Sequence, residues 1–594
     1  MWLTCFRLSL AVLTFFVVFA VWALWRRWQK VRPLYFLVAG VFTAGCILQY
    51  PIWQATFAGV RQGVFKAVLV AVQNTFQFFT ADADFTSFSL GVAAPEPGLQ
   101  EWYILLGTVL LVLAPVLTFG FLLTFFKGAY ARLRMLFHLP ANMYVFSELN
   151  ARSIALAEDI RQRERWSFLV FTNAPRDEEH LDDDLLHRLQ LLRAAVYRED
   201  ISLIWLRSTW GKHKSYLFTM CDREAESISE TLQLIQKYRR RRNTLIYLFS
   251  HNIDSELMLN NVDKGRLIVR RINPTVSLVN HILTTEGTML FDNAVPTQDG
   301  SRLISVLVLG MGQLGAEMIR ALAWYGQMDG YTIQIHGFDT DAGAADRLRA
   351  RCPELLDERY NGRYQEGEPY YRIQLHQADV RGAAFREQVK ALGTVTHAIV
   401  ALGDDSLNAA MAVELRVLFE QMHIHPRIAT VISESERLVA LRDAKDRGGR
   451  SYDLHFIGDI NTVYSHEVII NAALQEEALA LHKRYNNDDP YGFFEFEYNY
   501  CSSMASVIHY AARQHCGIPG AGKREEELTD TERRIIEVLE HKRWNAYMRA
   551  EGYIYSGSPD KASRNDMGRM HHNLVVFDEL SEEDKRKDSR VGTL

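Results

Sequence analysis

The sequence predicts a multidomain protein with an N-terminal α-helical transmembrane segment, two α/β Rossmann-like domains and a mostly α-helical C-terminal domain. Three observations lead to this fold class. The first 130 residues are strongly apolar, whereas the rest of the chain has the composition of a soluble protein. Buried-strand patterns alternate with helical patterns between residues 140 and 480. Beyond residue 485, helical patterns dominate and carry closely spaced aromatic and basic residues.

Composition limits the possible functions. The chain has 594 residues, of which 48% are hydrophobic and 23% are charged, and its net charge is −5. Such a length exceeds what one hydrophobic core supports. The weakly acidic balance is no general reason to expect nucleic-acid binding. The six cysteines form neither a CxxC pair nor a Cys/His cluster at metal-ligand spacing, so we predict reduced thiols and no metal site.

Three apolar segments, residues 8–25, 34–50 and 102–126, define a predicted transmembrane region over residues 1–135. Their lengths suit the roughly 17–25 residues that cross a hydrocarbon core. Basic residues follow the first span at 26–32 and also follow the third span, and cytoplasmic loops carry such residues. We therefore predict a multi-pass protein in the lipids of a bacterial inner membrane, with its N-terminus outside and its C-terminal body in the cytoplasm.

The segment 56–79 mixes apolar residues with arginine, lysine and glutamine. This mixture is typical of an interfacial amphipathic helix, a re-entrant helix or a pore-lining element. Pro115 and Gly120 are candidates for a kink or gate in the third span, although both residue types are common in membrane helices. No TVGYG-type sequence occurs, which argues against a potassium filter of the known kind.

A glycine-rich turn follows a buried-strand pattern at residues 301–309. The sequence GMGQLG occupies 310–315 and leads into a helical pattern. Glycines at this spacing permit a tight turn, close approach to a pyrophosphate and close helix–strand packing. A second strand ends in an acidic residue about 20 positions further on, where a ribose-binding carboxylate is expected. The predicted site comprises Gly310, Gly312, Gln313, Leu314, Gly315 and Asp339. The alternative is a Rossmann-like domain that has kept its glycines and binds nothing.

Later strands of the predicted domain 300–480 end near Asp379 and near Gly403 and Asp404. Ligands of parallel sheets bind beyond the carboxyl ends of the strands, so these residues are further candidates for ligand contact. Aspartate is also a favoured residue at helix N-caps, and Asp379 and Asp404 suit that role equally well.

GMGQLG, FDTD at 338–341, QAD at 377–379 and ALGDD at 401–405 together resemble the TrkA-N, or RCK, nucleotide-binding domain. That family regulates potassium channels and transporters. The resemblance implies NAD(H), an adenine nucleotide or an ADP-ribose-type compound as ligand. It also implies assembly into a homo-oligomer, a dimer or a tetrameric ring.

The preceding stretch, residues 140–295, has the same strand–helix alternation and looks like a diverged copy of this domain. Its first turn carries Ser147, Asn150 and Ser153 where the glycines would lie. Without glycine the backbone cannot approach a pyrophosphate as closely. We therefore predict a structural domain or one with an altered ligand.

The C-terminal region 485–594 contains EHKRWNAYMRAEG at 540–552 and MHHNLVVFDELSEEDKRKD at 570–588. These sequences resemble the ryanodine receptor repeat, a cytoplasmic module of which some examples are linked to adenine-nucleotide sensing. Aromatic rings can stack on a base, and basic groups can bind phosphate. The candidate residues are His541, Arg543, Trp544, Tyr547 and Tyr553. Alternatively, Trp544 and Tyr547 form one face of an amphipathic helix and pack in the core.

These features favour a ligand-gated channel or membrane effector that senses a nucleotide-type signal, with bacterial anti-phage or stress signalling as a linked hypothesis. A non-conducting membrane-tethered sensor or scaffold is the alternative. An NAD-dependent oxidoreductase is disfavoured because no convincing acid/base pair follows the glycine turn, so we predict no enzyme activity and no catalytic residues.

Overall fold

The computed structural model describes most of the chain and divides it into two compact units, Met1–Phe137 and His138–Leu594. The described residues are 1–25, 33–125, 135, 141–173, 183–206, 212–252, 254–357, 371–470, 472–486, 488–490, 492–494 and 496–592. The basic residues that predict the membrane orientation, at 26–32 and 127–134, lie outside these ranges, as does residue 126.

The first unit is helical. Its helices are α1 (Trp2–Trp25), α2 (Pro33–Thr56), α3 (Gly63–Thr80), α4 (Phe85–Gly91) and α5 (Pro97–Phe125). Three of them, α1, α2 and α5, are long and apolar enough to cross a membrane. They cover the three predicted spans, each starting one to six residues earlier than predicted, and α5 runs without a break through Pro115 and Gly120.

Side-chain hydroxyls hold the helices of this unit together where the sequence is otherwise apolar. Tyr103 of α5 is fully buried and donates a hydrogen bond to the carbonyl oxygen of Leu48 in α2 at 2.7 Å. Ser9 of α1 donates similarly to the carbonyl of Ala44 at 3.0 Å. Because an apolar medium provides no competing partner, both hydroxyls need such an acceptor.

Helix α3 covers the later part of the predicted amphipathic segment 56–79. One face, with the small residues Ala67, Ala71 and Thr75 and the ring of Phe78, is buried. The exposed face is largely apolar and contains Val64, Phe65, Val68, Leu69, Val72 and Phe76. An interfacial helix would instead present a strongly polar face, so the exposed surface of α3 suits lipid contact better than water.

The second unit begins with a six-stranded parallel sheet. Its elements are β1 (Met143–Phe146), α6 (Ala151–Arg163), β2 (Phe168–Phe171), α7 (Asp183–Leu192), β3 (Ala195–Val196), β4 (Ser215–Thr219), α8 (Glu224–Tyr238), β5 (Thr244–Phe249), α9 (Asp254–Asn260) and β6 (Ile268–Ile272). The strand order β3-β2-β1-β4-β5-β6 is that of the doubly wound Rossmann sheet. Strands β1, β2, β4 and β5 are buried along their whole length, as expected for a parallel sheet covered on both faces.

A second sheet repeats this order. After α10 (Pro274–Thr285) and α11 (Met289–Asp292), the elements are β7 (Val295–Pro296), β8 (Arg302–Leu309), α12 (Gln313–Tyr325), β9 (Tyr331–Asp339), α13 (Ala344–Arg351), β10 (Arg372–Gln377), α14 (Ala383–Leu392), β11 (His397–Val400), α15 (Asp405–Gln421), β12 (Arg427–Val431), α16 (Val439–Arg442) and β13 (Leu454–Ile457). The parallel order is β10-β9-β8-β11-β12-β13, and β7 pairs antiparallel with β8. The expectation of parallel α/β sheets is therefore confirmed.

The two sheets exchange helices. Leu283 of α10 and Leu290 of α11, which follow the first sheet in the chain, belong to the core of the second. Conversely, the chain beyond β13 forms α17 (Ile460–Val463) and α18 (His466–Ile469), and Val468 and Ile469 join the core of the first sheet. Each sheet thus completes its core with residues that lie next to the other sheet in sequence.

The remainder is mostly helical, with α19 (Ala472–Tyr485), α20 (Glu497–His515), α21 (Asp530–Ala550), the short parallel strands β14 (Ile554–Tyr555) and β15 (Met570–His571), and α22 (Glu582–Gly592). Most of its buried apolar side chains do not form a separate core, although Val575, Phe577 and Leu580 form a small cluster of their own. Leu481, Ile508 and Leu539 belong to the same buried cluster as Ile304 and Leu322 of the second sheet. The C-terminal region and the second sheet therefore share one core.

A buried ionic triad joins α20 to α21. The carboxylate of Glu540 accepts hydrogen bonds from Arg513 and Arg543, and all three residues are at most 1% exposed. Burial opposes ionisation of Glu540, but the two guanidinium groups outweigh it and lower its pKa to about 2. The carboxylate therefore stays charged at neutral pH.

We expect Glu540→Ala to destabilise this region by roughly 3–5 kcal/mol, because it leaves buried guanidinium groups without their counter-charge. The measurement is hydrogen exchange of the α20 and α21 amides in the detergent-solubilised chain. Glu582→Ala removes an exposed carboxylate that pairs with Lys585 and should leave the exchange unchanged. Equal exchange in both variants would contradict a structural role for the triad.

Candidate functional site

The three glycines of the turn after β8 have three different environments. Gly310 has φ +87°, and a Cβ there would lie 2.2 Å from the carbonyl oxygen of Ala401. A Cβ on Gly315 would lie 1.8 Å from the carbonyl oxygen of Gly310. Around Gly312, by contrast, nothing lies within 4 Å of an added Cβ. Gly310 and Gly315 are thus required by packing, whereas Gly312 keeps a space open.

Helix α12 begins at this open space. Gly312 is its N-cap, and Gln313 and Leu314 are its first two residues. The first amides of an α-helix have no acceptor within the helix and carry a partial positive charge. Gly312 and Gln313 are exposed, so this end of the helix is accessible to an anionic ligand.

Asp339 ends β9 beside the turn. One carboxylate oxygen accepts a hydrogen bond from the amide of Met311 at 2.6 Å, and the other accepts from the amide of Asp341 at 2.9 Å. Asp339 therefore stabilises the glycine turn through the amide of Met311. Because each carboxylate oxygen has two lone pairs, Asp339 can also accept a ribose hydroxyl.

Asp379, Gly403 and Asp404 lie at the same carboxyl edge of the sheet and are exposed. Both aspartates make local contacts of their own. Asp379 pairs with Arg381 at 3.0 Å, and this hydrogen bonding lowers the pKa of the Asp379 carboxyl group. Asp404 caps α15 by accepting a hydrogen bond from the amide of Leu407 at 2.8 Å. The structure thus shows the capping role for Asp404 that the sequence left open.

In the first sheet, side chains fill the corresponding turn. Asn150 caps α6 by accepting from the amide of Ser153 at 2.9 Å, and the Ser153 hydroxyl accepts from the amide of Asn150 at 3.0 Å. The buried hydroxyl of Ser147 accepts from the amide of Met220 at 3.0 Å. The amides of Asn150 and Ser153 at the start of α6 therefore already have side-chain acceptors, unlike those at the open turn of the second sheet.

A buried acid lies behind this filled turn. Glu230 of α8 is 5% exposed, and its carboxyl group lies 3.2 Å from the thiol of Cys221, which contacts Ser147 in turn. Burial raises the pKa of Glu230 to about 7.

A carboxyl group whose pKa is higher in the folded protein stabilises the fold at low pH, and that stabilisation is lost as the pH rises toward about 7. We expect Glu230→Gln to remove this loss, which is on the order of 2 kcal/mol. Thermal unfolding of both proteins at about pH 4.5 and at about pH 8 measures it, because the loss occurs between the ordinary glutamate pKa and about 7. Glu226→Gln, at an exposed position of the same helix, should retain the wild-type dependence. A Glu230→Gln variant that retains this dependence would contradict the assignment.

Because Gly310 and Gly312 have different environments, we expect alanine to affect the stability of the protein differently at the two positions. Gly310→Ala should lower the stability by about 2 kcal/mol or more, because the left-handed backbone and the nearby carbonyl both oppose a side chain. Gly312→Ala should change it by less than about 1 kcal/mol, because its φ is −67° and the space is open. Melting temperatures of the two variants, measured side by side, decide this. Equal melting temperatures would contradict the difference.

The C-terminal region contains a cavity of about 300 Å³. Three of the five residues predicted for a ligand site, His541, Arg543 and Trp544, line it. The other two do not. Tyr547 is 5% exposed and packs edge-on against Trp324, and Tyr553 is 8% exposed and packs against Tyr498. The core position proposed as the alternative for Tyr547 is thus the one it occupies.

Further lining residues were not singled out from the sequence because they come from separate segments. The lining is completed by Tyr485, Tyr498, Asn499, Ser502, Ser503, Ser506, Glu540, Lys561, Arg564, His571, His572, Asn573, Leu580, Asp584, Lys587 and Asp588. Four of the cavity residues are Lys or Arg and three are Asp or Glu, so the basic side chains predominate. Two features of the sequence 570–588 could have indicated further lining residues. They are the adjacent histidines His571 and His572 and the basic run at 585–587.

The acidic groups of the cavity are paired. Glu540 binds two arginines, Asp588 lies 3.2 Å from His541, and Asp584 lies 2.9 Å from Lys587. Burial, the largest cause, lowers the pKa of His571 to about 3 and also lowers the pKa of His572, so both imidazoles are neutral at neutral pH. The cavity therefore suits an anionic rather than a cationic ligand.

No protein-family model and no curated protein matches the chain. One solved structure, the crystal structure of a GsuK mutant, is similar at 13% sequence identity with a TM-score of 0.34. The similarity covers 74% of this chain and 97% of that one. We assign the Rossmann-like fold to both sheets from their strand order and not from the similarity to that structure.

Proposed function

We propose that this protein is a ligand-gated channel or membrane effector that senses a nucleotide-type ligand. One observation supports this above all others. Three helices long and apolar enough to span a membrane occur in one chain with an open, exposed glycine turn at a helix N-terminus. The first feature suits a membrane effector, and the second is a site for phosphates.

The turn favours NAD(H), an adenine nucleotide or an ADP-ribose-type ligand. Gly312 leaves room for a pyrophosphate, and Asp339 is placed to accept a ribose hydroxyl. A 2′-phosphate would be repelled by the carboxylate of Asp339, so NADP(H) is disfavoured. The ligand acts as a signal and is not turned over.

In this proposal the two sheets are TrkA-N/RCK-type domains and the C-terminal region is a ryanodine receptor-type repeat with a second ligand site. The chain forms a dimer or tetramer in a bacterial inner membrane, with its N-terminus outside and its sensor domains in the cytoplasm. A nucleotide messenger of anti-phage or stress signalling is the corresponding biological ligand.

The test uses the full chain reconstituted in liposomes loaded with an ion-sensitive dye. We expect NAD, ATP or ADP-ribose to change the ion flux and expect Gly312→Val to abolish that response, because the side chain fills the phosphate space. Asp339→Ala should weaken ligand binding about tenfold, since a charge-assisted hydrogen bond is lost. Asp346→Ala, at an exposed carboxylate of α13, is the matched control.

The outcomes separate the alternatives. A ligand that binds wild-type protein but not Gly312→Val, without any flux, indicates a non-conducting sensor or scaffold. Consumption of NADH or hydrolysis of the ligand indicates an enzyme. If none of the three ligands binds, the glycine turn is structural and the proposal is wrong.

A further inference from the structure

Two residues that line the C-terminal cavity each have a buried polar atom with no hydrogen-bond partner among the described residues. These atoms are Nη1 of Arg543 and Nδ1 of His572. The two residues are 0% and 7% exposed. Buried polar atoms of native proteins are nearly always paired, so two unpaired ones in a single cavity indicate a missing partner.

The surroundings of Arg543 hold its guanidinium group in one orientation. Its Nε and Nη2 donate to Glu540 at 3.2 and 2.7 Å, and Nη2 also donates to the hydroxyl of Ser506 at 3.0 Å. Three contacts on one edge leave Nη1 as the available donor. Since Glu540 is shared with Arg513, two buried positive charges face one negative charge.

The more exposed lining also supplies positive charge. Lys561 and Arg564 are exposed and Lys587 is half-buried. Arg564 pairs with Asp566 at 3.0 Å, and Lys587 pairs with Asp584. The remaining charges are those of Lys561, the buried triad with its second arginine, and Asp588 beside His541, so positive charge is still in excess. An anionic ligand would balance this excess.

Planar side chains line the same cavity. The ring of Trp544 meets His571 edge-on at 4.9 Å, and His571 stacks on His572 at 4.7 Å with nearly parallel rings. Both imidazoles are neutral, so they present aromatic surface without adding charge. Such surfaces bind a planar ring by stacking.

We infer that this cavity binds a phosphate monoester carried by a planar-ring molecule of mononucleotide size. Its phosphate accepts from Arg543 Nη1 and from the His572 imidazole, and its ring lies among Trp544 and the histidines. The volume of about 300 Å³ is at the lower limit of small-molecule sites, which favours one nucleotide over a dinucleotide. The inference deepens the proposed function and rests on it for the signalling role of the ligand, but binding can be tested separately.

The test is isothermal titration calorimetry on the detergent-solubilised full chain carrying Gly312→Val, which removes the other phosphate site. The probes are AMP, adenosine and inorganic phosphate. We expect AMP to bind and the other two to bind at least about tenfold more weakly, because adenosine lacks the phosphate and inorganic phosphate lacks the planar ring.

Two variants and a control locate the binding. Arg543→Met should weaken AMP binding by about tenfold or more. Lys587→Ala should also weaken it, because it leaves the carboxylate of Asp584 in the cavity without its counter-charge, which repels an anion. Lys585→Ala changes the same residue type on the same helix, outside the cavity lining, and should bind AMP like the parent. Hydrogen exchange verifies that each variant is folded. If Arg543→Met does not fold, the AMP affinity of Lys587→Ala alone tests whether the ligand binds in this cavity.

Each remaining outcome overturns part or all of the inference. If inorganic phosphate binds as tightly as AMP, the cavity is an anion site that does not recognise the ring. If adenosine binds as tightly as AMP, the phosphate makes no contact that contributes to affinity. AMP binding that both cavity variants leave unchanged would place the ligand elsewhere. No AMP binding here, together with NAD binding to the protein with an intact Gly312, would reject this inference and the second ligand site, and would leave the glycine turn as the proposed sensor.

Discussion

The buried carboxylate of Glu540 is the constraint on which the C-terminal region depends. An isolated charge at this depth would be prohibitively costly, and Glu540 remains ionised only because two guanidinium groups contact it. One of those groups, Arg513, belongs to α20, and the other, Arg543, lies one helical turn further along α21. The relative position of the two helices is thereby set by charge rather than by apolar packing alone. The same arrangement leaves one atom of Arg543 unpaired within a cavity.

Helix α21 connects that cavity to the glycine turn. Its end packs on α12, where the buried Arg320 donates to the carbonyl of Ala550 and pairs with Glu551 at 2.7 Å. The thiol of Cys352, just beyond α13, donates to the same carbonyl at 3.0 Å. Gly312 is the N-cap of α12, so α12 has the glycine turn at its start, and its partner helix α21 carries cavity residues. The two candidate sites therefore belong to one compact unit, and residues near both contribute to the same buried cluster.

Local patterns in the sequence were enough to predict the glycine turn, the position of Asp339 at the end of a strand, and both parallel sheets. These features depend on residues close in the chain, since a strand, a GxGxxG turn and a helix follow one another directly. The exchange of helices between the sheets could not be predicted, because nothing local shows that Leu283 packs with the second sheet or that Val468 packs with the first. The cavity was predicted only in part for the same reason. His541 and Trp544 lie on one helix, whereas Lys561, His572 and Lys587 meet them only through tertiary packing.

The two sheets share a strand order but differ in what occupies the first turn. In the second sheet the turn is kept open by Gly312, and the polar group beside it, Asp339, retains lone pairs for a ligand. In the first sheet, Ser147 and Asn150 satisfy the amides from within, and a carboxyl group with a raised pKa, Glu230, is buried behind them. A phosphate that bound the amides of Asn150 and Ser153 would have to replace hydrogen bonds that already exist, so it would gain less there than at the open turn of the second sheet. The proposed ligand contacts therefore lie in the second sheet and the C-terminal cavity, while the first sheet contributes the core against which α18 packs.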